Sequence, residues 1–165
     1  MEERLDARGL TEVEAIARYK SKNYPKPALT ADIVVFSRTD DSLNVLLVER
    51  GGHPFIGKLA FPGGFANENE PIEETAAREL EEETAITRND IILSHLMDFT
   101  YPLDHCYLEV YVGRLNKTVE VCGDENVLYW SALDRDFFDV TQYAGEGNIG
   151  HIMMHIEMHR QELLK

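Results

Sequence analysis

The chain has 165 residues, of which 44% are hydrophobic, which is enough for one domain with a buried core. Its 30 acidic and 16 basic residues give a net charge of −14, which disfavours binding to a nucleic-acid backbone. The longest apolar runs are too short for a transmembrane helix, and the charged start of the chain lacks the apolar stretch of a signal peptide. The two cysteines, Cys106 and Cys122, indicate free thiols in a reducing compartment. We therefore expect one cytoplasmic domain over residues 1–165, without nucleic-acid or membrane partners.

The first third of the chain predicts a helix followed by a hairpin. Thr11 and Glu14 have the spacing of a capping box, which predicts a helix over Thr11–Ser21 within an N-terminal extension of residues 1–23. The β-rich runs Ala31–Phe36 and Leu43–Val48 are separated by six polar residues. Such a pattern predicts an antiparallel hairpin.

The middle of the chain holds an acidic helix after a pair of glycines. A short predicted strand, Leu59–Phe61, leads into Gly63 and Gly64, whose backbone can approach a ligand closely. The following helix is predicted over Pro71–Thr84, and its glutamates at positions 79, 82 and 83 gather on one stripe. These like charges repel one another unless a divalent cation, which prefers oxygen ligands, binds between them. The spacing therefore indicates a metal site.

The rest of the chain predicts further strands and a final helix. The predicted elements are strands at Ile91–Thr100, Tyr107–Leu115, Thr118–Val121 and Val127–Trp130, a helical turn at Ser131–Asp134, a flexible loop at Gln142–Asn148 and a helix at Ile149–Leu164. His151, His155 and His159 recur every four residues on that helix, a spacing that suits a transition metal. Because no cysteine or carboxylate joins them clearly, we interpret them as a polar face. The mixture of strands and helices predicts an α/β fold.

The acidic helix and its glycines resemble a known signature. The pattern runs from Gly64 through Glu70 to the segment Arg78–Glu83 and ends at Ile86. It resembles the Nudix box, here residues 64–86, of hydrolases that cleave nucleoside diphosphates linked to another moiety. The family has glycine where this chain has Ala85, at the end of the helix. There we expect positive φ, and alanine costs on the order of 1 kcal/mol or shifts the cap.

The resemblance implies a fold, a cofactor and a set of residues. The fold is an α/β/α sandwich with a mixed β-sheet between helices, and the cofactor is Mg²⁺, with Mn²⁺ as a substitute. Relatives often form homodimers. The implied metal ligands are Glu79, Glu82 and Glu83, which are also implied in catalysis. The Gly63 carbonyl is implied as a further metal ligand without a catalytic role. Arg78 and Glu70 are the implied structural support, because the guanidinium of Arg78 can hold a carboxylate in place.

The general base and the substrate contacts stay open at this point. Asp124 and Glu125 are candidates for the base by their position in a loop, and Glu79 or Glu82 is the alternative. A plain polar turn explains the loop pair equally well. Substrate-binding candidates are Arg50, Phe61 and Gly64. The alternative for Arg50 is an ordinary surface arginine without a ligand. The alternative for Phe61 is packing in the hydrophobic core.

The segment from Val48 to Phe65 resembles the ADP-ribose pyrophosphatase branch of the same family. That resemblance implies hydrolysis of ADP-ribose, a small nucleotide, to AMP and ribose 5-phosphate. The branch often carries an Asp-Pro-Arg-Gly stretch where this chain has Thr100–His105, which leaves the substrate open. A house-cleaning hydrolase of nucleoside triphosphates is one alternative. A sensor that binds the nucleotide without cleaving it is another, disfavoured by the complete glutamate set. The lack of a DNA-binding tail after Lys165 argues against a transcription factor.

Overall fold

A computed structural model describes residues 4–22, 26–39, 42–52, 55–102, 105–115, 119–122, 127–134, 137–144 and 146–159. Its strands are β1 (Ala28–Thr39), β2 (Ser42–Glu49), β3 (Leu59–Ala60), β4 (Gly63–Phe65), β5 (Ser94–Tyr101), β6 (Cys106–Leu115) and β7 (Val127–Ala132). Its α-helices are α1 (Glu12–Ser21), α2 (Ile72–Thr84) and α3 (Glu146–Met158).

The seven strands form one mixed sheet around β1. The strand order is β3-β2-β1-β6-β5, with β4 paired to β1 and β7 paired to β2. β1 runs antiparallel to β2, which confirms the predicted hairpin, and parallel to β6. β5 pairs antiparallel with β6 at the edge of this order. The parallel pairing makes the sheet mixed, as an α/β fold requires.

The side chains of β1 alternate between two cores, because successive residues of a strand point to opposite faces. Val34 and Phe36 belong to a cluster that contains the buried residues of α3. Ile33 and Val35 belong to a second cluster, which contains Leu80 of α2. The sheet therefore lies between α2 and α3, which confirms the predicted sandwich.

α1 forms as its capping box predicts, but it lies outside both cores. The Thr11 hydroxyl accepts a hydrogen bond from the Glu14 backbone N–H at 3.3 Å, and the Glu14 carboxylate accepts one from the Thr11 N–H at 2.8 Å. None of the residues of α1 is buried. This helix is therefore held by local capping rather than by core packing.

Three of the predicted elements differ in the structure. Residues 119–122 form no strand, so the edge strand predicted at Thr118–Val121 is wrong over its described part. The helical turn predicted from Ser131 is also wrong, because Ser131 and Ala132 still pair with β2. Much of the loop predicted at Gln142–Asn148 is structured, since Val140–Gln142 forms a 3₁₀ turn and α3 already begins at Glu146.

Among the described residues, the helices are too short and too polar to cross a membrane.

Candidate functional site

The site is built where the short strand β4 joins the sheet beside α2. β4 pairs antiparallel with β1, so that Gly63 lies opposite Asp32 and Gly64 lies opposite Ala31. The chain then turns through residues 66–71 into α2, which packs on both β1 and β4. This pairing fixes the two glycines against the acidic stripe of the helix.

The carboxylate of Glu79 lies directly against the backbone of Gly64. A Cβ built at Gly64 would lie 2.5 Å from Oε2 and 2.7 Å from Oε1 of Glu79, closer than real contacts allow. A side chain at Gly64 would have to displace this carboxylate. The structure therefore brings together two residues that the sequence places in the site, separated by fifteen positions.

The second contact joins Glu83 to Gly63. The Gly63 backbone N–H donates a hydrogen bond to Oε2 of Glu83 at 3.0 Å, and the Glu83 side chain is half-buried. A Cβ at Gly63 would lie 2.1 Å from the carbonyl oxygen of Ala31, a backbone atom that cannot move aside. Glycine is required here because β4 approaches β1 closely.

Arg78 anchors the turn that precedes the helix. Its Nε donates to Oε2 of Glu70 at 2.8 Å and its Nη2 donates to Oε1 at 2.9 Å, a bidentate pair. Nη2 also donates to the backbone carbonyl of Phe65 at 3.0 Å. Glu70 accepts further hydrogen bonds from the Thr75 hydroxyl at 2.6 Å and from the Asn67 N–H at 3.2 Å. The structural support predicted for Arg78 and Glu70 has its geometric basis here.

The remaining nitrogen of Arg78 reaches the acidic stripe. Nη1 donates to Glu79 at 2.7 Å and to Glu82 at 3.0 Å, so one nitrogen bridges the two carboxylates. The Glu79 side chain is 15% exposed, whereas that of Glu82 is 56% exposed. Arg78 therefore couples the orientation of both glutamates to the turn held by Glu70.

These contacts set the protonation of the support pair. Hydrogen bonds from Arg78, and then from Thr75, lower the pKa of Glu70 from its usual value to about 2. The carboxylate of Glu70 in turn raises the pKa of Arg78 above its already high value. The pair is therefore charged at neutral pH.

Asp32 is a site residue that sequence reasoning missed. Its Oδ1 would lie 2.7 Å from a Cβ at Gly63, so its carboxyl group borders the same glycine as Glu83. Burial, followed by the negative charge of Glu83, raises the pKa of Asp32 to about 7, against the opposing effect of Arg50. A carboxyl group within the apolar run of β1 was the available signal, since such a position is usually apolar.

Arg50 and Phe61 line a polar cavity of about 240 Å³ beside this carboxyl group, together with Gly63 and Glu83. Arg50 thus lines this cavity, and its contact with substrate stays a prediction. Phe61 is only 5% exposed and belongs to the α3-side core, with its ring 6.4 Å from that of Tyr143. Its packing agrees with the alternative of a core residue, and its contact with substrate stays a prediction.

Asp124 and Glu125, the loop candidates for the general base, lie outside the described residues. The structure therefore leaves their role as a prediction. Glu79 and Glu82, the alternative candidates, are both in the site and both are held by Arg78.

The donor set suits a hard divalent cation. Glu79, Glu82 and Glu83 supply carboxylate oxygens from two adjacent turns of α2, and the glycine pair lets Glu79 and the carboxyl group of Asp32 approach the backbone of β4 closely. Mg²⁺ and Mn²⁺ prefer such oxygen ligands. These residues therefore fit the group that the sequence pattern implies.

Ala85 ends the helix in the left-handed conformation that the sequence predicts. Its φ is 64° and its N–H donates to the Glu81 carbonyl at 2.9 Å. The cap has therefore not shifted, and the alanine carries the strain of a positive φ.

Comparison with known proteins agrees with this geometry. The model of the NUDIX domain family matches residues 26–152. An ADPR responsive transcriptional repressor, NtrR, of Acinetobacter baylyi is 34% identical over 73 residues, which are 43% of this chain and 29% of that protein. An ADP-ribose pyrophosphatase of Methanocaldococcus jannaschii is 36% identical over 67 residues, 41% of this chain and 37% of that protein. The chain thus matches less than two fifths of the length of either relative.

A solved structure extends the similarity over nearly the whole fold. The NUDIX domain of Shewanella oneidensis NrtR, complexed with ADP ribose, superposes with a TM-score of 0.69 and 28% identity and covers 93% of this chain and 99% of that one. The family model itself spans well over half of the chain. On this evidence the chain belongs to the NUDIX domain family.

Proposed function

We propose that this protein is a divalent-metal-dependent hydrolase that cleaves the pyrophosphate bond of a nucleoside diphosphate joined to another moiety, with ADP-ribose as the substrate. The observation that carries the proposal is that Glu79 and Glu83 of α2 lie against the glycine pair of β4, while Arg78 joins Glu82 to Glu79. Hydrolysis adds one water across the P–O–P bridge, so that ADP-ribose gives AMP and ribose 5-phosphate.

The residues of the site have distinct roles in this proposal. The three glutamates hold Mg²⁺ or Mn²⁺, which neutralises the pyrophosphate and lowers the pKa of a bound water when present. Arg78 orients Glu79 and Glu82, and the Gly63 N–H orients Glu83. Arg50 adds positive charge beside the cavity, where a phosphate of the substrate would enter.

The names of the relatives support ADP-ribose in particular. One curated relative is a pyrophosphatase of this compound, and the NrtR domain was solved in complex with it. The same set contains a repressor that responds to it, which favours a second candidate function, a sensor that binds ADP-ribose without cleaving it. The complete glutamate set favours the hydrolase, because binding alone does not require three aligned carboxylates.

A substrate panel with a matched pair of variants tests the proposal. The panel contains ADP-ribose, NADH, diadenosine polyphosphates, nucleotide sugars and nucleoside triphosphates, with Mg²⁺ and chromatography of the products. Glu82→Gln should lower turnover of ADP-ribose by at least about 100-fold, since it removes a charged ligand. Glu81→Gln is the control, because Glu81 is an exposed glutamate of the same helix outside the stripe.

Three outcomes decide between the candidates. Release of AMP, lost in Glu82→Gln and kept in Glu81→Gln, supports the proposal. Release of pyrophosphate from a triphosphate identifies the house-cleaning alternative. Tight binding of ADP-ribose without turnover, unchanged in Glu82→Gln, identifies the sensor and overturns the hydrolase.

A further inference from the structure

A second group of metal-binding side chains lies on the β5–β6 pair at the end of the sheet order. His95 and Asp98 of β5 and Glu109 of β6 each offer a ligand atom, and these atoms all lie within 4.8 Å of one another. The group faces the α2 side of the sheet, because Tyr111, two residues along β6 from Glu109, belongs to the core cluster of that side. None of its three residues belongs to the Nudix box, residues 64–86.

A β-bulge creates this group. In a regular strand His95 and Asp98 would point to opposite faces, since residues three apart differ in orientation. The register shifts between His95 and Met97, and Leu96 and Met97 both pack against the α3-side core. The imidazole and the carboxylate are therefore on the same face, where they contact each other. Bulges commonly re-aim a side chain in this way.

The two carboxylates of the group repel each other across the strand pair. Asp98 and Glu109 are directly opposite each other across the strand pair, an arrangement that destabilises a sheet. Within the described part of the chain, neither carboxylate forms a salt bridge with a lysine or an arginine. Asp98 contacts the imidazole of His95. A bound cation would remove the repulsion.

Two phenols from outside the group hold the carboxylate of Glu109. The Tyr111 hydroxyl donates to Oε2 of Glu109 at 2.7 Å, and the Tyr107 hydroxyl donates to its Oε1 at 3.5 Å. The ring of Tyr111 also meets that of His95 edge to face, with centroids 5.7 Å apart. Hydrogen-bonded partners of this kind orient the ligands of metal sites.

We propose that His95, Asp98 and Glu109 bind a first-row transition-metal ion of the Zn²⁺ type. One imidazole nitrogen with two carboxylate oxygens is a mixed donor set that suits Zn²⁺ better than Mg²⁺. Ligand atoms bonded at about 2.1 Å can be no more than about 4.2 Å apart, so small side-chain rotations close the site. Water fills the remaining positions, because His95 and Asp98 are nearly half exposed.

The site has a structural consequence that its test can use. The ion would join β5, the last strand in the sheet order, to its neighbour β6. A ligand that binds only the folded state raises the unfolding temperature. Asp98→Asn should behave differently with and without metal. Without metal it relieves the repulsion from Glu109, so its unfolding temperature should equal or exceed that of the wild type. With Zn²⁺, the unfolding temperature should rise for the wild type and not for Asp98→Asn.

The experiment is a calorimetric titration of the full chain with Zn²⁺, repeated with Co²⁺ to read the visible absorption of the bound ion. We expect His95→Asn and Asp98→Asn each to weaken one Zn²⁺ site by at least about 10-fold, with Tyr111→Phe weakening it less. The Co²⁺ spectrum should lose its imidazole contribution in His95→Asn. Hydrolysis measured with Mg²⁺ should stay unchanged in His95→Asn, so the result is independent of the proposed function.

Two histidine controls make the outcome decisive. His105→Asn removes an exposed imidazole at the turn of the same hairpin and should leave Zn²⁺ binding unchanged. His155→Asn removes an imidazole of α3 whose ring centroid lies 4.4 Å from that of His159, just after the helix. Loss of the site in His155→Asn but not in His95→Asn would overturn the proposal, as would equal Zn²⁺ affinity in the wild type, His95→Asn and Asp98→Asn.

Discussion

The carboxylate of Glu79 occupies the space that a side chain at Gly64 would need. Gly64→Ala should therefore push this glutamate away from its position beside β4. A displacement of about 1 Å at a catalytic group can lower the rate about 100-fold, and we expect a loss of that size in turnover of the nucleotide substrate. Steady-state kinetics with Mg²⁺ measures it.

Gly150→Ala is the control for that variant, since a Cβ at Gly150 in α3 would meet nothing within 4 Å. Its kinetics should match those of the wild type. Wild-type turnover in Gly64→Ala would show that Glu79 does not need its position beside this glycine.

Arg78→Lys should impair both the turn and the glutamate stripe. Lysine presents a single ammonium group and cannot contact Glu70, Glu79 and Glu82 together as the guanidinium does. We expect a loss of about 2 kcal/mol in the free energy of unfolding and at least about a 10-fold rise in the Mg²⁺ concentration needed for activity. Urea unfolding and metal titration of the activity measure the two effects.

Arg88→Lys is the matched substitution outside the site. Arg88 pairs with Glu74 and both side chains are at least half exposed, so this pair contributes little. The free energy of unfolding should change by less than about 0.5 kcal/mol. If the two arginine variants lost equal stability, the network around Arg78 would have no special role.

Ala85→Gly should stabilise the protein. Ala85 has φ of 64° at the end of α2, a conformation that glycine adopts without steric cost. We expect a gain of about 1 kcal/mol in the free energy of unfolding. Ala77→Gly in the interior of the same helix should cost about 1 kcal/mol instead, because glycine there only adds backbone entropy to the unfolded state. Two variants that shift stability in the same direction would contradict this account.

The contribution of Glu70 to stability should depend on pH in one direction. Its pKa in the folded protein is about 2, below the usual value of a glutamate, so its stabilising effect is complete above the usual pKa. As the pH falls from the usual pKa towards 2, that effect is lost. The stability difference between wild type and Glu70→Gln should therefore be largest at neutral pH and should shrink between pH 5 and pH 2. Urea unfolding at several pH values measures it; a constant difference would refute the assignment.

Much of the site could be predicted because most of its residues lie on one helix, where sequence spacing fixes their relative positions. The spacing of Glu79, Glu82 and Glu83 places them on one stripe wherever the helix lies, and Arg78 is within one turn of Glu82. The left-handed conformation of Ala85 was also predictable, since the pattern resembles one in which glycine stands there. Local geometry decided these features.

The partners of Asp32 and the bulge in β5 do not follow from local spacing. Asp32 becomes a site residue only because β4 pairs with β1 and brings Gly63 beside it. His95 and Asp98 share a face only because the strand gains one residue against β6. Both depend on pairings between segments far apart in sequence, which periodicity along one segment does not contain.

The sequence by itself determined the acidic helix, its cap, the β1–β2 hairpin and the ligand chemistry of the glutamates. These follow from side-chain spacing and backbone preference, which act over a few residues. Only the tertiary structure decided which backbone the glutamates meet, how close Glu79 comes to Gly64, and which carboxyl group borders Gly63. Those distances arise when separate strands and a helix pack at close density, where one methyl group is the difference between contact and clash.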